Sequence, residues 1–271
     1  MIKNQVIDFN GISVATKDSG SGKDAIIFIH GSCMNSDAWL PQLKSDALRK
    51  KYRLIAFDLP GNGQSGRYQN DPTNYRPGKI ALFVSVVLKK YAIERFLLVG
   101  LSYGTNIIGE IQKPLPGCVG IMLASPCIIN DFFTPETILT PGPNGHVIVA
   151  ENPSDQELFE YIFMHEKNQE IREEYIQTYR ATDPVFRQEL GKAIFERDFT
   201  DELKNIKKWD VPVCVVFGKD ETLIKTDYLN DYDALWNQKV YLIESAGHFI
   251  SKAAPADFNK LLLSFASDVF K

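Results

Sequence analysis

Residues 96–108 read FLLVGLSYGTNII, an apolar strand-like run that leads through Gly100-Leu101-Ser102-Tyr103-Gly104 into a helix-compatible run. A strand, a sharp turn and a helix in direct succession hold the central serine on a strained turn, with its hydroxyl clear of the sheet. Side chains two residues before and after that serine would collide with the turn, which explains why both positions are glycine. The stretch therefore predicts a parallel sheet with Ser102 at the carboxyl end of one strand.

The rest of the chain repeats this alternation of short apolar strands and helices. Continuous apolar strands between helices indicate a parallel sheet that is covered on both faces, and hence an α/β fold. Asn10-Gly11 supplies the positive φ angles of a two-residue hairpin near the start of the chain. The runs that we expect to be strands are 6–9, 12–15, 25–29, 53–57, 96–99, 119–123, 213–217 and 240–243, and the expected helices are 36–49, 78–91, 103–111, 225–236 and 255–270.

A helical insertion interrupts the pattern between residues 126 and 209. Its loop 134–144 is rich in proline, glycine and asparagine, and three amphipathic helical runs follow without a convincing parallel strand. Ser154 and Glu157 form the signature of a helix capping box. We therefore expect a core made of residues 1–125 and 210–271, with residues 126–209 as a helical cap, or lid, over it.

Composition excludes several classes of function. The 30 Lys and Arg residues against 34 Asp and Glu residues give a net charge of −4, without the clustered basic residues of a nucleic-acid or anionic-membrane binder. No apolar run is long enough to cross a bilayer, and residues 1–10 lack the apolar core of a signal peptide. The four cysteines form no C-x-x-C pair and the four histidines lack zinc-site spacing. We expect a cytoplasmic protein without a metal.

Three residues in chain order predict a catalytic triad. A serine hydroxyl needs an adjacent base to attack at neutral pH, and His248 follows the last strand at the sheet edge where sites concentrate. A carboxylate must hold that histidine in the correct tautomer. Asp220, directly after strand 213–217, is the first choice. Glu221 in the same turn is the main rival, and Asp131 is a distant third.

Acyl transfer also requires hydrogen-bond donors for the oxyanion. The backbone N–H of Tyr103 is one, and the loop His30-Gly31-Ser32-Cys33 supplies the other. Ser32 N–H is the first choice and Cys33 N–H the second. We expect His30 to hydrogen-bond within its own loop and Cys33 to be a packing residue.

Five elements in order, HGSCMNSDAW, DLPGNGQS, GLSYGT, GKDE and AGHF, resemble those of the α/β-hydrolase superfamily. The resemblance implies a mostly parallel eight-stranded sheet with helices on both faces, a serine nucleophile and no cofactor. The segment GKDE, the pair Leu235-Trp236 and the stretch AGHFISKAAPADF are also similar to N-acyl-homoserine lactonases of this fold. Such enzymes open a quorum-sensing lactone with a serine triad and no metal. Tyr161 in the cap is a candidate substrate contact.

The sequence thus predicts a serine hydrolase for a small, uncharged carboxylic ester or lactone, present as a monomer or small homo-oligomer. The alternatives are a C–C bond hydrolase or thioesterase with the same triad, and a non-catalytic receptor that kept the fold.

Overall fold

A single twisted sheet forms the centre of the molecule in the computed structural model, which describes residues 1–9 and 11–271. The strand order is β1-β2-β4-β3-β5-β6-β7-β8. β1 and β2 pair antiparallel, as do β2 and β4, and all other neighbours are parallel. The expected eight-stranded, mostly parallel sheet is therefore confirmed. The strands are β1 (Lys3–Phe9), β2 (Ile12–Ser19), β3 (Ala25–Ile29), β4 (Arg53–Phe57), β5 (Phe96–Leu101), β6 (Cys118–Ala124), β7 (Val213–Gly218) and β8 (Leu235–Ile243).

Helices cover the sheet in two groups. In one group α3 and α9 pack on α4, and in the other α1, α2 and α10 pack on α11. β3, β5 and β7 are buried at every residue, as strands covered on both faces must be. The helices are α1 (Leu40–Leu43), α2 (Asp46–Arg49), α3 (Pro77–Lys90), α4 (Tyr103–Gly109), α5 (Pro135–Ile138), α6 (Asp155–His165), α7 (Gln169–Ala181), α8 (Pro184–Glu196), α9 (Glu202–Lys207), α10 (Ile250–Ala253) and α11 (Pro255–Val269).

Two of the expected helices are wrong in whole or in part. Residues 225–236 form turns rather than a helix, and β8 begins already at Leu235. Asn237 and Gln238 have positive φ angles inside β8, where its register with β7 shifts, so the strand continues through an irregularity that the apolar pattern does not reveal. The expected helix 36–49 is broken into a 3-10 helix (Ser36–Trp39), α1 and α2, because Ser45 caps the start of a new helix.

The hairpin between β1 and β2 has Gly11 at φ +80°, a conformation that glycine adopts without strain. Its other expected turn residue, Asn10, lies outside the described residues. Among those that the structure describes, no helix has the length and apolar character needed to cross a bilayer.

The segment between β6 and β7 contains α5 to α9 and a further 3-10 helix, Gly145–Ile148. The predicted capping box at the start of α6 is present, with reciprocal bonds between Ser154 and Glu157. Buried Arg187 on α8 links parts of this segment through hydrogen bonds. Its guanidinium donates to the backbone carbonyls of Ala150, Glu151, Tyr179 and Thr182. α9 packs on α4, so the end of this segment belongs to the covering of the sheet.

Candidate active site

Ser102 lies on a strained turn between β5 and α4. Its backbone angles are φ 52° and ψ −122°, outside the regions that L-residues favour. A Cβ on Gly100 would lie 2.7 Å from the carbonyl oxygen of Gly104, and a Cβ on Gly104 would lie 2.3 Å from that of Ile29. Because both contacts are with backbone, neither position accepts a side chain without a shift of the chain. The two glycines of the motif are therefore required by the geometry of the turn.

The hydroxyl of Ser102 faces a cavity that it shares with His248. Its Oγ lies 3.9 Å from the Sγ of Cys127. In the part of the chain that the structure describes, this hydroxyl makes no hydrogen bond to His248. Burial raises the pKa of the Cys127 thiol to about 12, so this cysteine is neutral at pH 7. Cys127 is thus a neighbour of the serine and not a thiolate nucleophile.

His248 is held by Glu221. Its Nδ1 lies 2.8 Å from Glu221 Oε2, and both side chains are almost fully buried. The second carboxylate oxygen, Oε1, accepts a hydrogen bond of 2.8 Å from Leu223 N–H. Burial alone would raise the pKa of the Glu221 carboxyl, but His248 and these hydrogen bonds outweigh burial, and that pKa lies below its usual value. Glu221 is thus a carboxylate that fixes the tautomer of His248.

Asp220, the first choice from sequence, does not contact His248. Its carboxylate turns to the surface and accepts a hydrogen bond of 3.0 Å from Lys167 Nζ. The N–H of Asp220 is tied to the carbonyl of Ala246, and the next residue in this tight turn points inward. The expectation of Asp220 is therefore corrected to Glu221. Asp131 is exposed and does not line the cavity that holds His248.

The loop after β3 lies against the serine. A Cβ on Gly31 would lie 3.2 Å from the Cβ of Ser102, and Ser32 lines the same cavity. In the described part of the chain, neither Ser32 N–H nor Tyr103 N–H donates to a protein acceptor. Both amides are thus free to bind an oxyanion.

His30 stabilises this loop as expected. Leu59 N–H donates to its Nε2 over 2.9 Å, so its Nδ1 carries the proton and donates to the carbonyl of Gly31 over 2.7 Å. Burial lowers the pKa of His30 despite the opposing charge of Asp58. A neutral ring with both nitrogens engaged is unable to act as a base at Ser102.

The cavity beside Ser102 is mostly apolar and opens to solvent at one side. Its wall combines residues of the sheet edge with residues of the helices between β6 and β7. Residues of the first kind are Ser32, Met34, Ser102, Tyr103, Asn106, Cys127, Leu223, His248 and Phe249, and those of the second kind include Ile138, Leu139, Ile148, Tyr161, His165, Tyr175, Leu190, Ile194 and Phe199. Such a wall suits an apolar chain next to a few polar groups.

A protein-family model described as alpha/beta hydrolase fold matches residues 24–110, which run from the residue before β3 through Ser102 and α4. The solved structure of N-acyl homoserine lactonase AidH in complex with N-butanoyl homoserine superimposes with a TM-score of 0.88, covering 99% of this chain and 97% of the other at 24% identity. The chain has the α/β-hydrolase fold.

Two curated relatives extend the comparison. A 2-hydroxy-6-oxononadienedioate/2-hydroxy-6-oxononatrienedioate hydrolase of Paraburkholderia phymatum is 24% identical over 268 residues, covering 94% of this chain and 91% of its own. The dihydrolipoyllysine-residue acetyltransferase component of the acetoin cleaving system of Cupriavidus necator is 33% identical over 128 residues. The chain spans about a third of the length of that second relative, and the match covers 47% of this chain. The expectation of an enzyme of the α/β-hydrolase class is confirmed by the fold and these matches.

α6 presents two polar side chains to the cavity beside Ser102. Tyr161, predicted as a substrate contact, lines the wall near Ser102. His165, one turn later on the same helix, was not expected to take part. The two rings lie edge to face with centroids 4.8 Å apart. The sequence signal for His165 is its i, i+4 spacing from Tyr161, which puts both residues on one helix face.

Proposed function

We propose that this α/β-hydrolase cleaves a carboxylic ester or lactone through an acyl-enzyme on Ser102. The observation that carries the proposal is the buried Glu221–His248 pair, whose histidine lines the same cavity as a serine on a strained strand-to-helix turn. In the α/β-hydrolase architecture this combination serves nucleophilic acyl transfer.

The proposed reaction begins with attack of Ser102 Oγ on the substrate carbonyl. His248 Nε2 accepts the serine proton, and Glu221 stabilises the resulting imidazolium at Nδ1. The N–H groups of Tyr103 and Ser32 bind the oxyanion, and His248 returns the proton to the leaving alkoxide. Water, activated by the same histidine, then releases the acid and restores Ser102.

N-acyl-homoserine lactones are the candidate substrates within this class. The apolar residues that α5 to α8 contribute to the cavity wall offer a place for an acyl chain, and we propose that residues 126–209 act as the cap that selects it. The AidH complex supports this choice by its likeness in fold. Tyr161 is the proposed polar contact of the substrate.

A C–C bond hydrolase is the second candidate, because the Paraburkholderia phymatum relative matches over nearly the whole chain. Among the described residues, however, no lysine or arginine lines the cavity. A dicarboxylate, which the name of that relative specifies as its substrate, would lack a cationic partner there. The cavity therefore favours an uncharged ester or lactone.

The test compares Ser102→Ala with Ser85→Ala, an exposed serine on α3 that serves as the matched control. Hydrolysis of p-nitrophenyl butyrate and of N-hexanoyl-homoserine lactone, measured with a chelator present, should be lost in the first variant and retained in the second. A fluorophosphonate should label the wild-type chain at Ser102 by mass spectrometry. Full activity of Ser102→Ala, or a label at another residue, would refute the proposal. A parallel panel of thioester and β-diketone substrates separates the alternatives by kcat/KM.

A further inference from the structure

His165 occupies a position in the cavity that the proposed mechanism does not use. It lies at the last residue of α6, is 5% exposed, and lines the same wall as Ser102 and His248. Its carbonyl oxygen would lie 2.8 Å from a Cβ on Gly247, directly before His248. A buried histidine this close to the proposed base needs a hydrogen-bonding role.

The hydrogen bonds of Thr222 determine which ring nitrogen of His165 carries the proton. The hydroxyl of Thr222 donates its one proton to the carbonyl of Met164 over 3.0 Å. It therefore accepts the hydrogen bond that joins it to His165 Nδ1 over 2.9 Å. Nδ1 must then be protonated, and Nε2 carries a lone pair.

The ring remains neutral at physiological pH. Burial is the main cause that lowers the pKa of His165 to about 4, and the charge of His248 lowers it further against the opposing effect of Glu221. Since the Nδ1 edge of the ring faces Thr222, which does not line the cavity, the Nε2 edge is the one that faces the cavity. No other residue of the described chain donates to Nε2. The cavity wall therefore carries a fixed hydrogen-bond acceptor.

We infer that His165 is a specificity-determining residue, whose Nε2 accepts a hydrogen bond from an N–H or O–H donor of the substrate near the scissile carbonyl. This inference rests on the proposed function. Tyr161, one turn earlier on α6, presents a hydroxyl to the same cavity. A secondary amide offers one donor and one acceptor, and so matches this pair of side chains. The preferred substrate is thus an ester or lactone with a secondary amide beside the carbonyl.

Two amide substitutions separate this role from a purely structural one. In His165→Asn the side-chain amide reaches the position of Nδ1, so the bond to Thr222 is retained and the acceptor in the cavity is lost. In His165→Gln the longer side chain brings its carbonyl oxygen to the position of Nε2, so the acceptor is retained and the bond to Thr222 is lost. Each variant is the control of the other.

The substrates form a matched pair as well: N-hexanoyl-homoserine lactone, and its carba analogue in which CH₂ replaces the amide N–H. One buried hydrogen bond predicts that the wild-type enzyme prefers the amide by about 10-fold to 100-fold in kcat/KM. In His165→Asn the ratio of the two kcat/KM values should fall to within about threefold of one, with little change in kcat/KM for the carba analogue. His165→Gln should keep most of the wild-type preference.

Any other pattern overturns the inference. A preference retained in His165→Asn and lost in His165→Gln would show that the bond to Thr222 is what matters, and an equal loss on both substrates would indicate a structural role. If the variants do not fold, the wild-type ratio decides, because a ratio near one contradicts the inference by itself. Turnover that depends on Ser102 without discrimination overturns the role of His165 alone, whereas absence of such turnover overturns the proposed function.

Discussion

Replacing Glu221 with glutamine tests the assignment of the triad acid at the level of one proton. Glu221 Oε1 accepts a bond from Leu223 N–H, so the carbonyl oxygen of a glutamine would be held at that position. Its NH₂ group would then face His248 Nδ1, 2.8 Å away in the native pair, and donate to it. His248 would be forced into the tautomer with a proton on Nε2, which is unable to accept the proton of Ser102.

In a serine protease, the corresponding exchange of a triad carboxylate for its amide lowers kcat by about 10⁴-fold through this change of tautomer. We expect Glu221→Gln to lower kcat for p-nitrophenyl butyrate by about 10³-fold to 10⁴-fold, with a small change in KM. Asp220→Asn is the matched control. It removes an exposed ion pair with Lys167 worth about 0–1 kcal/mol, so kcat should stay within about fivefold.

Steady-state kinetics at pH 7.5 measure kcat and KM of the two variants, and thermal unfolding confirms that both are folded. A loss of more than 100-fold in Asp220→Asn together with near-normal turnover in Glu221→Gln would refute the assignment and return Asp220 to the triad. Equal, moderate losses in both variants would mean that the turn as a whole, and not one carboxylate, supports His248.

Three other outcomes follow from contacts in the structure. Gly104→Ala should destabilise the protein by about 3 kcal/mol in urea titrations, because its Cβ would lie 2.3 Å from the carbonyl oxygen of Ile29. The control Gly145→Ala, whose Cβ would meet no atom within 4 Å, should change stability by less than about 0.5 kcal/mol. Arg187→Lys should lower the free energy of unfolding by about 2–3 kcal/mol, since an ammonium group lacks the planar fork that donates to four carbonyls. Limited proteolysis within residues 126–209 should be faster in this variant, and unchanged cleavage would contradict the role of Arg187. The pKa of His165 is near 6.5 in the unfolded chain and about 4 in the folded protein, so the folded state loses stability as pH falls between these values. The loss should be roughly 2 kcal/mol from pH 7 to pH 5, and thermal unfolding of His165→Asn should show a smaller loss.

The sequence was sufficient for the parts of the site that depend on local backbone geometry. Gly100, Ser102 and Gly104 indicate their turn in the sequence because side chains at the two glycines would collide with backbone, and the apolar strand before them fixes their place in the sheet. The choice between Asp220 and Glu221 was of another kind. Two adjacent carboxylates in one turn have the same local signal, and which of them points inward depends on the loop of Ala246 and His248, far away in sequence.

The role of His165 was out of reach for a similar reason. A histidine on an amphipathic helix is expected to pack, and only the position of Thr222, 57 residues later, determines its tautomer. The false helix at 225–236 has a different cause. Its apolar spacing fits a helix, but Tyr228 is used instead to bridge Ile128 N–H and the carbonyl of Pro126 through its hydroxyl.

The turn at residues 219–222 has a consequence for engineering. Within four residues it supplies the partner of His248, an ion pair to Lys167 beyond the end of α6, and the hydroxyl that orients His165. A continuous block of residues 126–209 transplanted from a related chain would therefore meet a foreign turn on the far side of β7. Chimeras designed to change substrate preference should exchange the two segments together, although β7 separates them in sequence. In this chain, residues 126–209 and the turn at 219–222 are joined by hydrogen bonds across a gap in sequence.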